Sequence, residues 1–191
     1  MPTQECLTVE FLRQCFDYIE DGRLFWKVRP KEHFSSIGMW KAWNTKWSGK
    51  EAGGVAWVSQ RKDKEVERIP RHIIVLNGKH YFRSRLVYAF HTGEWPQKID
   101  HENTRTLDDW IDNLRPATSS QNGHNRGILS NNTSGSISVC KNKYGKFTAR
   151  ITVNGDRKWL GSFKTLEEAE EKYREASIKY FGEFSPYYKK E

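Results

Sequence analysis

The spacing of hydrophobic residues changes along the chain, and each spacing predicts a different element. Over residues 8–20 apolar side chains recur at helical intervals, which predicts a short helix capped by Thr8. Asp21 and Gly22 then predict a turn. Residues 23–28, with the sequence RLFWKV, predict a strand.

Residues 29–66 show no clear period and carry four tryptophans among glycines and lysines. These tryptophans are Trp40, Trp43, Trp47 and Trp57. We expect an irregular aromatic patch that belongs to the core. A surface on which nucleic-acid bases stack is the alternative interpretation of the same tryptophans.

Residues 68–83 predict a β-hairpin, because Asn77 and Gly78 stand between two runs of β-forming residues. An Asn-Gly pair favours the tight turn that joins two antiparallel strands. A short helix is expected to follow, capped by Ser84 and ended by Gly93.

The C-terminal part predicts a small module of three strands and one helix. Residues 136–143 are the first predicted strand, and an Asn-Gly turn at Asn154 and Gly155 joins the other two. Thr165 and Glu168 have the spacing of a capping box at the start of the helix. The helix carries one apolar face, which consists of Leu166, Ala169, Tyr173, Ala176 and Tyr180.

Side chains alternate along a strand, so the middle strand of this module has one apolar and one polar face. The apolar face, which must meet the helix, consists of Phe147, Ala149, Ile151 and Val153. Residues 131–160 hold six Lys or Arg against one acid, whereas the helix holds five Glu against three bases. This sorting of charge favours a sheet that binds phosphate groups.

Composition narrows the class of protein further. The 191 residues are 36% hydrophobic and 14% aromatic, as in folded globular proteins, and the net charge of +8 favours an anionic partner such as nucleic acid. The three cysteines form no Cys-x-x-Cys pair, so a thiolate zinc site is not expected. Neither a signal peptide nor an apolar run of membrane length is recognised, so we expect a soluble, cytoplasmic protein.

The segment KNKYGKFTARITVNGDRKWLGSFKTLEEAEEKYREASIKYFGEF resembles the Apetala-two (ethylene-response-factor) DNA-binding domain, most specifically in the run WLGSF. The resemblance covers about residues 131–185 and implies a three-stranded sheet, backed by a helix, that lies in the major groove of double-stranded DNA. It implies that Arg150, Arg157 and Trp159 contact DNA. With the lysines of the sheet, the predicted DNA-binding residues are Lys141, Lys143, Lys146, Arg150, Arg157 and Trp159.

The polar segment KIDHENTRTLDDWIDNLRPATSSQNGHNRG, residues 98–127, is rich in groups that bind metals or move protons. These groups are Asp100, His101, Asn103, Asn113, Asn122, His124 and Asn125. Asp and Asn supply the oxygen ligands that hard cations prefer, and a neutral His suits a general base in phosphodiester hydrolysis. On composition alone, a polar loop with Asx turns is the alternative.

The spacing of three short motifs favours the chemical interpretation. Asp-His at 100–101, Asn-Leu-Arg at 113–115 and Gln-Asn at 121–122 resemble the HNH endonucleases of the phage and homing type. The resemblance runs from about residue 68 to residue 127. It implies the ββα-metal fold, in which a hairpin followed by a helix surrounds one metal ion.

The resemblance also implies a role for individual residues. His101 would be the general base, and Asn113 would hold the loop that orients it. Asp100 and Asn122 would ligate one divalent ion, Mg²⁺ first and Mn²⁺ as the alternative, with His124 ranked below Asn122. Because neighbouring residues on a strand point to opposite faces, Asp100 and His101 can serve one site only if the strand ends or twists there.

These patterns together predict an α+β protein with a nuclease module and a module that reads DNA. The predicted regions are 1–67 (a helix, a strand and the Trp-rich region), 68–127 (the HNH nuclease), 128–135 (a linker) and 136–185 (the Apetala-two-like domain). The expected function is metal-dependent hydrolysis of double-stranded DNA, with one active site per chain and therefore nicking. A non-catalytic DNA-binding regulator with a degenerate HNH fold is the alternative, and an RNA-binding protein is a third interpretation.

Overall fold

In a computed structural model, the protein is a mixed α+β chain with several small antiparallel sheets. The structure describes residues 7–59, 68–125, 128, 132 and 134–188. The chain divides into two units, which comprise residues 1–101 with 105–117 and residues 102–104 with 118–191. Among the described residues, no helix has the length and apolar character needed to cross a membrane.

The first unit contains three small antiparallel sheets in its described part: β1 with β2, then β3, β4 and β5, then β6 with β7. Its elements in chain order are α1 (Val9–Cys15), β1 (Phe16–Tyr18), β2 (Leu24–Trp26), α2 (Ile37–Trp47), β3 (Gly54–Ser59), β4 (Arg68–Leu76), β5 (Lys79–Phe82), α3 (Arg83–Thr92), β6 (Ile99–His101) and β7 (Leu114–Pro116). Single 3-10 turns occur at Lys31–His33 and Ile111–Asn113.

The first helix is shorter than the predicted span of residues 8–20. Thr8 caps α1 as predicted, but α1 ends at Cys15 and Phe16 is already extended, with φ −132°. Phe16 lies opposite Trp26 across β1 and β2, and the two ring centroids are 4.6 Å apart. The packing of two aromatic rings across a strand pair therefore outweighs the helical spacing of the apolar residues.

Residues 29–66 are more regular than their sequence predicts, because they contain α2 and β3. Ser36 caps α2, yet none of the residues of this helix is buried. The helix therefore lacks the continuous apolar face by which a sequence pattern reveals a helix. Trp43 packs against the core. Trp57 is 65% exposed, so the expectation that the tryptophans of this region form a core patch is wrong for Trp57. Residues 60–66 lie outside the described part of the chain.

The predicted hairpin of residues 68–83 is confirmed as β4 and β5. Asn77 and Gly78 join the strands with φ values of 50° and 74°, the geometry of a tight hairpin turn. The predicted cap at Ser84 is wrong, because α3 begins at Arg83, two residues before the predicted start, and Ser84 is buried inside its first turn. Since β5 runs directly into α3, no side-chain cap forms at this helix start.

The core of the first unit supports the strand that carries the candidate site. Its fully buried side chains include Leu12, Phe16, Leu24, Ile74 and Leu86. Ile99 of β6 and Leu114 of β7 belong to the same buried cluster. The backbone around Asp100 and His101 is therefore fixed by apolar packing on both strands of its hairpin.

The second unit is the predicted module of three strands and one helix, with one additional short helix before it. Its elements are α4 (Ser119–His124), β8 (Val139–Lys141), β9 (Phe147–Val153), β10 (Asp156–Phe163) and α5 (Leu166–Phe181). The strands pair antiparallel in the order β10, β9, β8. The Thr165–Glu168 capping box and the helix stop at Gly182 are confirmed, whereas β8 is shorter than the predicted span of residues 136–143.

The helix α5 packs against the sheet through a narrower face than predicted. The predicted side chains that are buried against the sheet are Ala169, Tyr173 and Ala176. Tyr180 is 39% exposed, so its predicted place in this face is wrong. Ser177 is buried instead, and its hydroxyl hydrogen-bonds that of Ser185 at 2.8 Å.

Only part of the predicted linker, residues 128–135, is described. Ser134 Oγ donates a hydrogen bond to the carbonyl oxygen of Val139 at 2.6 Å. Asn132 Nδ2 donates to the carbonyl oxygen of Ser136 at 2.7 Å. Asn132 and Ser134 of the linker are therefore bonded to residues at the start of the C-terminal sheet.

Candidate active site

Strand β6 ends at the two residues that the sequence predicts to be metal-binding and catalytic, Asp100 and His101. The antiparallel register with β7 sets Asp100 opposite Arg115 and His101 opposite Leu114. Both predicted site residues are buried, with 2% and 4% of their surfaces exposed. The strand ends at His101 and the chain turns at Glu102, as a site that uses both side chains requires.

Asp100 forms a buried ion pair with Arg115. Nε and Nη2 of Arg115 lie 2.9 and 2.7 Å from Asp100 Oδ2, and both donate to it. Charge-assisted hydrogen bonds of this kind fix the orientation of a carboxylate. Arg115 is the arginine of the Asn-Leu-Arg motif, so this motif supplies the partner of the aspartate in the Asp-His motif.

His101 lies between a carboxylate and a guanidinium. Its Nε2 is 2.9 Å from Oδ1 of Asp109, which is 2% exposed and belongs to the loop between β6 and β7. On the other side of the ring, Nη1 of Arg71 in β4 lies 3.3 Å from Nδ1 of His101. One ring nitrogen of His101 therefore contacts a negatively charged group, and the other contacts a positively charged group.

Asp109 is the centre of a buried charge network. Its Oδ2 accepts a hydrogen bond from Nε of Arg83 at 2.9 Å, and Nδ1 of His72 lies 3.0 Å from the same oxygen. Arg83 also pairs with Glu51 at 2.9 Å. Burial opposes ionisation of Asp109, but hydrogen bonds from His101 and His72 and the charge of Arg83 prevail, and they hold the pKa of Asp109 well below its usual range. Asp109 is therefore ionised at neutral pH.

Asn113 fastens the loop that carries Asp109. It is buried at the end of the 3-10 turn Ile111–Asn113, and its Nδ2 donates to the carbonyl oxygen of Asp108 at 2.7 Å. This bond holds the peptide directly before Asp109. The predicted role of Asn113, to hold the loop that orients His101, stays a prediction with this contact as its physical basis.

Asn122, the second predicted metal ligand, lies on α4 in the second unit. The first turn of α4 is closed by a capping box between Thr118 and Gln121. His124 ends the same helix and stacks on Phe181, with ring centroids 3.7 Å apart and planes 8° apart. This packing gives His124 a structural contact, and its lower rank as a ligand stays a prediction.

The predicted metal ligands offer a carboxylate, from Asp100, and an amide oxygen, from Asn122. Mg²⁺ and Mn²⁺ prefer hard oxygen donors of these kinds, so the donor set fits such an ion. In the described parts of the chain, no group of three or more His, Cys, Asp or Glu side chains is placed to hold a metal ion.

The sheet of the second unit presents the predicted DNA-binding residues. In the register of β9 and β10, Trp159 lies opposite Arg150, and Arg157 lies on the same polar face. The guanidinium of Arg150 is 5.3 Å from the centroid of the Trp159 ring, which is 56% exposed. Lys143 and Lys146 are exposed around the turn between β8 and β9.

Two lysines depart from the predicted sorting of charge. Lys158 lies opposite Ile151 and therefore on the apolar side of the sheet, with Nζ 4.6 Å from the ring of Tyr180 on α5. Lys141, a predicted DNA-binding residue, lies opposite Phe147, which also belongs to the apolar side. Strand register thus brings these two lysines toward the helix side, where their ammonium groups lie over aromatic rings.

Comparison with protein-family models gives a match. The HNH endonuclease family matches residues 81–124, a segment that runs from β5 to the end of α4 and includes Asp100, His101, Asn113 and Asn122. Searches of curated proteins and of solved structures find no match. The matched segment supports assignment as an HNH endonuclease, and HNH nucleases generally use a divalent metal.

Four residues of the charge network around His101 were missed by the sequence analysis. They are Arg71, His72, Arg83 and Asp109. The first three reach the site from β4 and α3, far along the chain, so no local motif reveals them. Asp109 alone had a signal, since it lies within the polar segment, in the loop that was expected to orient His101.

Gly22 offers a test of how the Asp109 loop is supported. It has φ +88°, and a Cβ added there would overlap the backbone of Asp109 and Trp110. Gly22→Ala should therefore destabilise the protein by more than left-handed strain alone. Gly49→Ala is the matched control, because Gly49 has φ +75° with nothing within 4 Å, and it should cost only about 1 kcal/mol. Chemical denaturation measures both losses, and equal losses would contradict the close contact at Gly22.

Proposed function

We propose that the protein is a metal-dependent HNH endonuclease of the homing type that hydrolyses phosphodiester bonds in double-stranded DNA. The observation that carries the proposal is the match of residues 81–124 to the HNH endonuclease family. Two further facts support it. Within this segment the chain forms two paired strands followed by a helix, and His101 ends the first strand with a hydrogen bond to an ionised, buried carboxylate.

His101 is the proposed general base. Its neutral imidazole takes a proton from a water molecule while the water oxygen attacks phosphorus. The bond between phosphorus and the leaving sugar oxygen breaks, and that oxygen takes a proton from solvent. Asn113 contributes by holding the loop next to Asp109, and so it acts through position rather than through contact with substrate.

Asp100 and Asn122 are the proposed holders of one divalent ion, Mg²⁺ in the first instance. When bound, such an ion neutralises the charge that develops on the phosphate and on the leaving oxygen. Arg115 orients the Asp100 carboxylate through two hydrogen bonds to Oδ2.

The second unit is proposed to bind the DNA as an Apetala-two-like module. Its exposed basic and aromatic residues, Lys143, Lys146, Arg150, Arg157 and Trp159, would contact phosphates and bases, with Lys141 at the margin. A tethered reader raises the local concentration of the nuclease at its site. With one active site per chain, we propose that a monomer nicks one strand.

Metal-dependent cleavage of supercoiled plasmid tests the proposal. We expect conversion to nicked plasmid with Mg²⁺ or Mn²⁺ and none with EDTA, because the phosphate charge is then not neutralised. Gel electrophoresis separates nicked from linear products. DNA binding without cleavage under every metal condition would instead indicate the non-catalytic regulator.

Variants of Asn122 test the ligand assignment within the same assay. Asn122→Ala removes an oxygen donor, so the Mg²⁺ concentration for half-maximal cleavage should rise, whereas Asn122→Asp restores an oxygen and should lower it again. A Mg²⁺ titration of all three proteins gives the comparison. An Asn122→Ala titration that coincides with wild type would remove Asn122 from the site.

A further inference from the structure

Two contacts of the His101 ring define which of its nitrogens carries the proton. Asp109 is ionised and can only accept hydrogen bonds, so His101 Nε2 must be the donor across their 2.9 Å contact. A guanidinium can only donate, so Nδ1 must accept from Arg71 across 3.3 Å. The two contacts are independent of each other, and both require a neutral ring with its proton on Nε2.

His72 shows that the same network can impose the opposite tautomer. Its Nδ1 lies 3.0 Å from Asp109 Oδ2, and its Nε2 lies 3.2 Å from Nη2 of Arg83. By the same reasoning Nδ1 of His72 donates and Nε2 accepts. Asp109 thus receives hydrogen bonds from His101, His72 and Arg83. For each histidine, the ring nitrogen that faces Asp109 carries the proton, and this decides its tautomer.

We propose that Asp109 is the positioning residue of the nuclease site, which locks His101 in the Nε2–H tautomer so that Nδ1 is the atom that takes the proton from the attacking water. This inference rests on the proposed function of His101 as general base. The O–H bond of the water breaks, its proton moves to Nδ1, and its oxygen forms the new bond to phosphorus. Afterwards the imidazolium returns the proton to solvent.

Arg71 has a defined part in this cycle. In the structure it donates to the nitrogen that must receive the proton, so the water has to replace it at Nδ1. Once Nδ1 is protonated, ring and guanidinium are both donors and both positive, and they can no longer bond. Asp109 is then ion-paired with the imidazolium, so its interaction with His101 becomes stronger during proton transfer. An interaction that strengthens in this way stabilises the transition state more than the ground state, and it therefore accelerates the reaction.

The tautomer can be measured directly in the wild-type protein. In full-length chain labelled with ¹⁵N-histidine, long-range ¹H–¹⁵N spectra distinguish a protonated from an unprotonated ring nitrogen, and His101→Gln assigns the signal. We expect Nε2 protonated and Nδ1 unprotonated for His101, and the reverse for His72. A His101 ring with its proton on Nδ1 would overturn the proposal without any variant of Asp109.

Single-turnover kinetics at saturating plasmid test the consequence. Asp109→Asn can donate as well as accept, so it no longer enforces one tautomer, and cleavage should fall by about 10²-fold or more while DNA affinity stays unchanged. Asp17→Asn is the control: it also turns a carboxylate of the first unit into an amide, but Asp17 is exposed on β1 and pairs with Lys27, outside this network. The cleavage rate of this variant should stay within about 3-fold of wild type.

The outcomes separate the inference from the proposed function. If His101→Gln still cleaves, the function of His101 fails whatever Asp109 does. If His101→Gln is inactive while Asp109→Asn cleaves at the wild-type rate, only the positioning role fails. If Asp109→Asn does not fold, as thermal melting would show, the spectrum of the wild-type protein decides alone.

Discussion

We expect His101→Ala to lower the single-turnover rate of plasmid cleavage by about 10²–10⁴-fold, because this is the range that a general base contributes. DNA affinity should change little, since the proposed base acts on the attacking water and not on the bound phosphates. The rate is measured at saturating enzyme with Mg²⁺, so that weaker binding cannot imitate slower chemistry. Affinity is measured separately in EDTA.

The loss of His101 also removes one of the hydrogen bonds to the buried carboxylate of Asp109. A melting curve must therefore show that the variant is folded at the assay temperature. His80→Ala is the control substitution, because His80 is an exposed histidine on β5 of the same unit. It should cleave at the wild-type rate. Wild-type cleavage by His101→Ala would remove the proposed mechanism altogether.

The elements that the sequence predicted well are those with short-range signals. The Asn-Gly turns at residues 77–78 and 154–155 and the capping box at Thr165 act within a few residues, and the structure contains all three. The errors have long-range causes. Phe16 leaves the helical pattern to pair with Trp26, and α2 has no buried face for a pattern to detect.

In the candidate site, too, the sequence predicted the features with short-range signals and missed those with long-range causes. The resemblance to HNH endonucleases located Asp100 and His101 on a strand that does end there. It did not reveal what holds them, because Arg71 and Asp109 reach His101 from 30 and 8 residues away. Charge networks of this kind depend on tertiary contacts and leave no period in the sequence. The contacts of His101 with Arg71 and Asp109 therefore become visible only in the folded structure.

The largest expected change in affinity comes from the polar face of the C-terminal sheet. Replacing Lys146, Arg150 and Arg157 by alanine in the full chain removes three exposed cations from the proposed DNA surface. If each neutralises one phosphate, the slope of log affinity against log salt becomes shallower by about 2.7, at about 0.9 per contact. If affinity at 1 M salt is unchanged, affinity at 0.1 M then falls by about 500-fold.

A triple variant on the other side of the same unit controls for net charge. Lys164, Lys172 and Lys179 are exposed at the start of α5 and along it, and their replacement by alanine removes the same charge. Because screening weakens charges more than about 10 Å from the DNA, this variant should keep nearly the wild-type slope. Fluorescence anisotropy from 0.05 to 0.3 M salt compares the three proteins. Equal slopes for both triple variants would show that only net charge matters, and the sheet would lose its proposed role as the DNA-binding surface.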